Sequence, residues 1–443
     1  MFALLSIHSI SSVSLNGDQL LIGGEDFTFS RQQIDEADPN QIAVTVIIEG
    51  KYTEIPDNAF QYLSNIKNVS ITAPIATIGE SAFEGCSNLI FIELPHNSPE
   101  IKQSAFANTS IKSLNLQVSK IEMYTFTNSN IKTISLEKVE RIQLYAFANC
   151  SHLKKITLSN LLAFVGECCF ANCTSLESIQ LDNVKRLLPY TFYNCKSLNS
   201  ISLSNELIRI YDYALSYTQI SSISLAPTTG YIGNGAFEEC SKLSQISISE
   251  AVYFIGASAF KGTLITSIQL PAKVTHIPSS VFENCKNLQK CVILGDLDSI
   301  EEKAFMGCTS LQEMVIIGSV SKIDQTAFSG CQSLKKFYFC ADQINDKNMS
   351  LFESNVTIFV PSSYNRTTFF GLNVTIDKSG TCPSVEPDNK SGITTKQRNW
   401  IIIGTVLVVA VLSGIIIFVS YKAYQAHKRR FDSITSTLML GNV

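Results

Sequence analysis

Residues 78–94, IGESAFEGCSNLIFIEL, decide the fold, because their pattern returns down most of the chain. The fixed point is the aromatic of an Ala-Phe pair. Phe, once replaced by Leu, recurs at Phe60, Phe83, Phe106, Phe126, Phe147, Phe170, Phe192, Leu215, Phe237, Phe260, Phe282, Phe305 and Phe328, 13 copies separated by 20 to 23 residues. Five residues before each anchor stands an aliphatic residue without exception, from Ile55 and Ile78 through Val165 and Leu187 to Ile323. After the anchor comes Leu-x-x-Ile-x-Leu, as in Leu198, Ile201 and Leu203, whose last two apolar positions alternate with polar ones as a half-buried strand requires. Self-similarity at such a period marks a repeat solenoid. A unit of about 22 residues cannot shield its own apolar face, so neighbouring copies must cover it.

Three residues after the anchor lies a small residue. It is Cys at 86, 150, 173, 195, 240, 285, 308 and 331, but Thr109, Ser129, Thr218 and Thr263 in other copies. A cysteine that alternates with Thr or Ser at one structural position reads as a buried packing group rather than a disulfide partner or metal ligand. The Thr and Ser copies also shorten the following turn by one residue, Thr109-x-Ile111 standing where another copy has Cys86-x-x-Leu89. Two turn geometries are therefore expected along one ladder.

The recurring Ile-Gly-x-x-Ala-Phe-x-x-Cys-x-x-Leu-x-x-Ile-x-Leu resembles the BspA-like family of leucine-rich-repeat surface proteins, in the membrane-anchored form found in mucosal parasitic protists. The resemblance covers residues 55–340. It implies a leucine-rich-repeat solenoid, a right-handed horseshoe with short parallel strands on its concave face. It also implies surface display and adhesion to host proteins, host cells or other microbes, without enzyme activity. The Gly of the motif is present only at Gly79, Gly166, Gly233 and Gly256.

With 443 residues, 16% charged and a net charge of −4, the composition fits a globular ectodomain with a membrane segment and implies no nucleic-acid partner. Residues 1–17 read as an export signal around the apolar run Phe2 to Ile7, and 18–54 as an N-terminal cap whose alternation at Ile42, Val44, Val46 and Ile48 supplies a first strand. Residues 341–376 read as a C-terminal cap, and 377–399, rich in Ser, Thr, Gly and Pro, as an extracellular stalk. Residues 401–420 carry no charge over 20 positions, about 30 Å of helix, and predict one transmembrane helix, 400–421 with its flanking aromatics Trp400 and Tyr421. Lys422, Lys428, Arg429 and Arg430 follow it, so the expected topology is type I at the plasma membrane, with 422–443 a cytoplasmic tail that touches lipid headgroups or an adaptor.

The chain has five scattered His and no Cys-x-x-Cys, phosphate loop or nucleophile elbow, so neither enzyme, metal nor cofactor is expected. Glycosylation sequons cluster towards the end, at Asn348, Asn355, Asn365, Asn373 and Asn389, with others at Asn68, Asn108, Asn149 and Asn172. Cys340 and Cys382 fall outside the ladder and form a candidate disulfide between trailing cap and stalk. Binding is the remaining class, directed at extracellular protein or glycan ligands on host or microbial surfaces. The solvent-facing strand positions are small and uncharged in the middle, as at Ser200 and Ser202. They turn apolar and charged near the end, at Lys290 and Val292, Glu313 and Val315, Lys336 and Tyr338, with Leu294 and Ile317 one step further. That end of the concave sheet is the expected adhesive patch, unless the trailing cap folds over it. Adhesin and receptor with an adaptor-binding tail are the two function classes that remain.

Overall fold

In the computed structural model, the structure describes residues 12–24, 28–95, 98–342, 351–352 and 355–377. Each repeat makes two short strands. The longer carries Ile-x-Leu with alternating exposure, as in Ser178–Leu181 and Ser200–Leu203. The shorter has two residues and ends on the aliphatic residue that precedes the anchor, as in Arg186–Leu187 and Arg209–Ile210. Equivalent strands of neighbouring repeats pair in parallel, Ile179 beside Ile201 and Leu181 beside Leu203 in the wide ladder, Leu187 beside Ile210 in the narrow one. A one-residue slip would turn every Ile to solvent, so the repeated pattern fixes the register. Sequence periodicity pointed to one strand per repeat; the second ladder is an addition from the structure.

Between the ladders the anchors stack. From Phe60 to Phe192 neighbouring rings lie 5.0 to 5.7 Å apart with planes within 12° of parallel. Leu215 interrupts the column, which resumes from Phe237 to Phe328 at 5.2 to 5.5 Å. All of these side chains are buried. The chain reaches the core and leaves it through two left-handed residues per turn, for example Tyr190 (φ 56°) and Asn194 (φ 61°) around Phe192. That conformation favours Asn and Gly, which is why one or the other usually sits two residues after the anchor.

The small residue after the anchor is the seam between repeats. The Cys86 thiol donates to the Phe60 carbonyl (3.0 Å), Cys150 to Phe126 (2.9 Å), Cys173 to Phe147 (3.1 Å) and Cys285 to Phe260 (3.0 Å), each reaching back one repeat. Thr109, Thr218 and Thr263 instead donate to the anchor carbonyl of their own repeat, at 2.8 to 2.9 Å. The wide ladder is interrupted at four places, and three of them precede the strands that follow these shortened turns, Ser113–Asn115, Ser222–Ser224 and Ser267–Leu270. The two turn geometries therefore segment the sheet.

The Ile-Gly of the motif has a specific cause. Asp212 Oδ1 accepts from the Asn234 amide (2.9 Å) and Asn234 Oδ1 from the Ala257 amide (2.9 Å), so a side chain of one repeat caps the backbone of the next. A Cβ on Gly233 would stand 2.4 Å from Asp212 Oδ1 and 2.6 Å from the Asp212 amide. Gly233→Ala is expected to cost about 1–3 kcal/mol through this crowding, measured by urea unfolding; a change below about 0.5 kcal/mol would show that the neighbouring turn yields freely.

Both ends are closed. At the start, Ser12–Asn16 and Gln19–Gly23 form an antiparallel hairpin, and the second strand pairs in parallel with Thr45–Ile48, which begins the wide ladder. The hairpin begins within the segment 1–17 read as an export signal, so the sequence boundary at 17 cuts through the cap; residues 1–11 lie outside the described residues. Ile42 is half exposed, while Val46 and Ile48 face the core. A helix, Arg31–Ala37, starts at a Ser30–Gln33 capping box and buries Ile34. At the far end Thr357–Val360 pairs with Lys336–Phe339, and Leu372–Ile376 pairs with Thr357–Val360. Phe369 packs 5.4 Å from Phe337 and 5.2 Å from Phe339, covering the last core face.

Candidate binding surfaces

The outward residues of the wide ladder form straight rows. Lys290, Glu313, Lys336 and Thr357 stand side by side in one row. Gln269, Val292, Val315, Tyr338 and Phe359 form the next. Lys290 Nζ lies 2.8 Å from Glu313 Oε1, a partly exposed pair of modest energy. Tyr338 stacks on Phe359 at 4.7 Å, and both rings are half buried. The expected patch is thus gathered on one face, and strand Thr357–Val360 extends that face edgewise.

Accessibility corrects part of it. Val315 is only 1% exposed and Val292 9%, so neither offers the free apolar contact read from the strand pattern. A short β-branched side chain flanked by Val292, Tyr338, Glu313 and Ile317 presents little surface, whereas Lys336 remains exposed and Tyr338, Ile317 and Leu294 are half buried. What the row presents to solvent is Lys336, the rings of Tyr338 and Phe359, and the Lys290–Glu313 pair.

A second feature lies at the first interruption of the wide ladder. Phe91–Glu93 and Ser113–Asn115 do not pair, and a cleft of about 450 Å³ opens between them, lined by Leu94, Leu114, Ser98, Asn115 and Gln117 among others. Phe91 (54% exposed) and Ile90 (47%) lie open to solvent at the start of the strand on one side. Sequence reading missed this cleft, although the shortened turn at Thr109 was its signal.

A third surface belongs to the narrow ladder. Its inward residue is the aliphatic one before the anchor, and its outward residue is the one preceding that. In the middle repeats the outward residues are Arg141, Phe164, Arg186, Arg209, Tyr231 and Phe254. Arg141 lies over the Phe164 ring at 4.3 Å and Arg209 over the Tyr231 ring at 5.6 Å.

The sequons differ in their surroundings, and Asn68 opens strand Asn68–Ile71. Asn355, Asn365 and Asn373 are exposed on the trailing cap; Asn348 and Asn389 lie outside the described residues. Asn149 and Asn172 belong instead to an amide ladder, Asn128 to Asn108, Asn149 to Asn128, Asn172 to Asn149 and Asn194 to Asn172, with Nδ2 donating to Oδ1 at 2.7 to 3.1 Å. Their amide nitrogens are engaged in holding turns together. Cys340 is disulfide-bonded; Cys382, the partner offered by the sequence, lies outside the described residues, as do the stalk from 378 onward, the 400–421 span and the 422–443 tail. No helix among the described residues is long and apolar enough to cross a membrane. Among them, no group of three or more His, Cys, Asp or Glu is placed to hold a metal ion.

Among curated proteins, none matches the chain. Among solved structures, a leucine-rich repeat protein from Bacteroides ovatus is 24% identical, with 79% of this chain and 97% of that one covered and a TM-score of 0.62. A leucine-rich repeat protein from Eubacterium ventriosum is 17% identical over 85% of this chain and 94% of that one, with a TM-score of 0.43. The pneumococcal vaccine antigen PcpA is 20% identical over 79% and 91%, with a TM-score of 0.44. The family model of the BspA type leucine rich repeat region matches residues 53–177, 119–244 and 230–359. Those spans cover the anchors, both ladders and the thiol seam, and the chain belongs to the BspA-type leucine-rich repeat family.

Proposed function

We propose that this protein is a single-pass cell-surface adhesin whose solenoid binds protein or glycan ligands on host cells, extracellular matrix or other microbes, without catalytic activity. The observation that carries the reading is the registered face at the C-terminal end of the wide ladder. Four in-register strands there present Lys336, Tyr338 and Phe359 beside the Lys290–Glu313 pair. Rings among charged groups are the composition of interface cores and their rims. Family membership supports surface display, and the uncharged run 401–420 supplies the anchor. Many copies on one membrane would turn weak single contacts into firm attachment. The exposed Asn355, Asn365 and Asn373 suit a glycan-bearing cap on a protein displayed at the plasma membrane.

The test displays the full-length chain on a non-adherent cell and counts attachment to epithelial monolayers and matrix-coated wells. Attachment is expected to fall at least tenfold in Tyr338→Ala/Phe359→Ala with surface level unchanged. No attachment by the native chain to either substrate would reject adhesion. A receptor with an adaptor-binding tail would then lead, its output depending on residues 431–443.

A further inference from the structure

The outward row of the narrow ladder changes character along the solenoid. It is Glu54, Thr77, Glu100 and Lys120 at the start, with Lys120 paired to Glu122 at 2.7 Å, becomes Arg141, Phe164, Arg186, Arg209, Tyr231 and Phe254 in the middle, and returns to His276 and Ser299. Arg186, Arg209, Tyr231 and Phe254 are neighbours in one paired ladder and span roughly 14 Å at about 4.8 Å per rung, while Arg141 and Phe164 pair in the preceding one. None of these side chains is buried; flanking them, Tyr253 is 48% exposed and Ile208 39%. A strand position that needs only one aliphatic residue facing inward has no structural need for arginine and aromatic residues facing outward.

The arginines of this row differ from the nearby lysines in their pairing. Lys154, Lys185, Lys261 and Lys290 each reach a Glu side chain, whereas no carboxylate of the described residues lies within ion-pair distance of Arg141, Arg186 or Arg209. Glu206, close in sequence to Arg209, is taken by Lys185 at 2.7 Å. Arg209 Nη1 donates to Tyr211 Oη at 3.4 Å and the guanidinium lies over Tyr231. A guanidinium resting on a ring is held in place while its remaining in-plane N–H donors stay free for a bidentate carboxylate. The rings give a second discrimination. Tyr231 and Phe254 are stacked on each other at 4.6 Å and 6°, so the faces a sugar would use are partly covered, and ring edges, the Tyr253 ring and Ile208 remain for apolar side chains.

We propose that this row, on the narrow ladder and separate from the C-terminal face, docks an acidic protein segment, its carboxylates on Arg186 and Arg209 and its apolar side chains against Tyr253 and Ile208. The proposal rests on the surface-binding reading above and names a partner class for it. Binding of this kind weakens with salt, because exposed charges are screened.

The test uses the full-length chain purified in mild detergent and two probes, a random copolymer of glutamate and tyrosine and, as the sulfated glycan, heparin. The copolymer is expected to bind, at least tenfold more weakly in Arg186→Glu/Arg209→Glu and at least threefold more weakly in Arg186→Gln/Arg209→Gln, with both variants melting as the native chain does. The charge-matched control Lys132→Glu/Lys155→Glu, just before strand Thr133–Leu136 and at the start of Lys155–Leu158 in the wide ladder, is expected to bind as the native chain does. Copolymer binding indifferent to both arginine variants would overturn the proposal. So would heparin binding that depends on these arginines without copolymer binding, which would make the row a glycan site. Loss of cell attachment with arginine-dependent copolymer binding intact would reject adhesion alone; attachment intact with indifferent copolymer binding would reject this docking row alone.

Discussion

Truncating Phe147 to alanine is expected to lower the free energy of unfolding by about 3–5 kcal/mol, whereas Phe147→Leu is expected to cost less than about 1.5 kcal/mol. Phe147 is fully buried and its ring sits 5.2 Å from Phe126 and 5.4 Å from Phe170. Alanine therefore removes the side chain from both faces of one layer at once, and each stacked contact adds about 0.5–1.5 kcal/mol to the burial term. Leucine keeps most of the volume and loses chiefly the ring contacts. The protein already tolerates this at Leu215, where the column of rings stops and restarts. Because a solenoid is held by nearest-neighbour interfaces, the damage should also be local. Native-state hydrogen exchange should accelerate for amides of the flanking turns, Phe126 and Asn149, more than for those around Phe305. Urea unfolding gives the size of the effect; a loss below about 1.5 kcal/mol for alanine would mean that the column contributes shape rather than stability.

The part of this fold that was legible is the part that repeats. Phe83, Ile78 and the Ile92 strand recur in register, and one apolar position per layer is enough to specify the core by its period alone. The narrow ladder was not legible as a sheet, because a two-residue strand such as Arg209–Ile210 is too short to show alternation. Its outward row could have been found by asking what precedes each invariant aliphatic residue, since nothing in the core explains Arg141 beside Phe164. Val315 shows the opposite failure. Alternation correctly placed it on the outer face, but facing outward is not the same as being accessible when its neighbours on the sheet are larger. The hairpin that crosses position 17 was hidden for a local reason: Val13 and Leu15 continue the apolar character of Phe2 to Ile7 in the sequence, and only the pairing of Leu15 with Leu20 shows a strand there.

The thiol seam carries the other large effect, a steep alkaline loss of stability. Burial pushes Cys86, Cys150, Cys240 and Cys285 up from 9.0 to about 12, since a thiolate in the core would be stripped of water. In the unfolded chain these thiols ionise near 9, so between about pH 9 and 12 the unfolded state has released protons that the folded state still holds. Stability is fully present below about pH 9 and falls as pH rises through that window, by about 1.4 kcal/mol per pH unit for each thiol and about 5–6 kcal/mol per pH unit for the four together. Tyr and Lys titrate in the same range, so the decisive measurement is a difference. Urea unfolding from pH 8 to pH 10.5 under reducing conditions, on the native chain and on Cys150→Thr, should give curves whose slopes differ by about 1.4 kcal/mol per pH unit above pH 9. The hydroxyl does not titrate in this range, and Thr109 and Thr263 place a threonine at the same distance from the anchor in the shortened turns. The same burial predicts that the folded chain resists alkylation at pH 8, because reagent meets thiolate only after a turn has opened. Equal slopes in the two proteins would mean that the seam admits water, and that its cysteines are held by their hydrogen bonds to the preceding anchor rather than by a dry core.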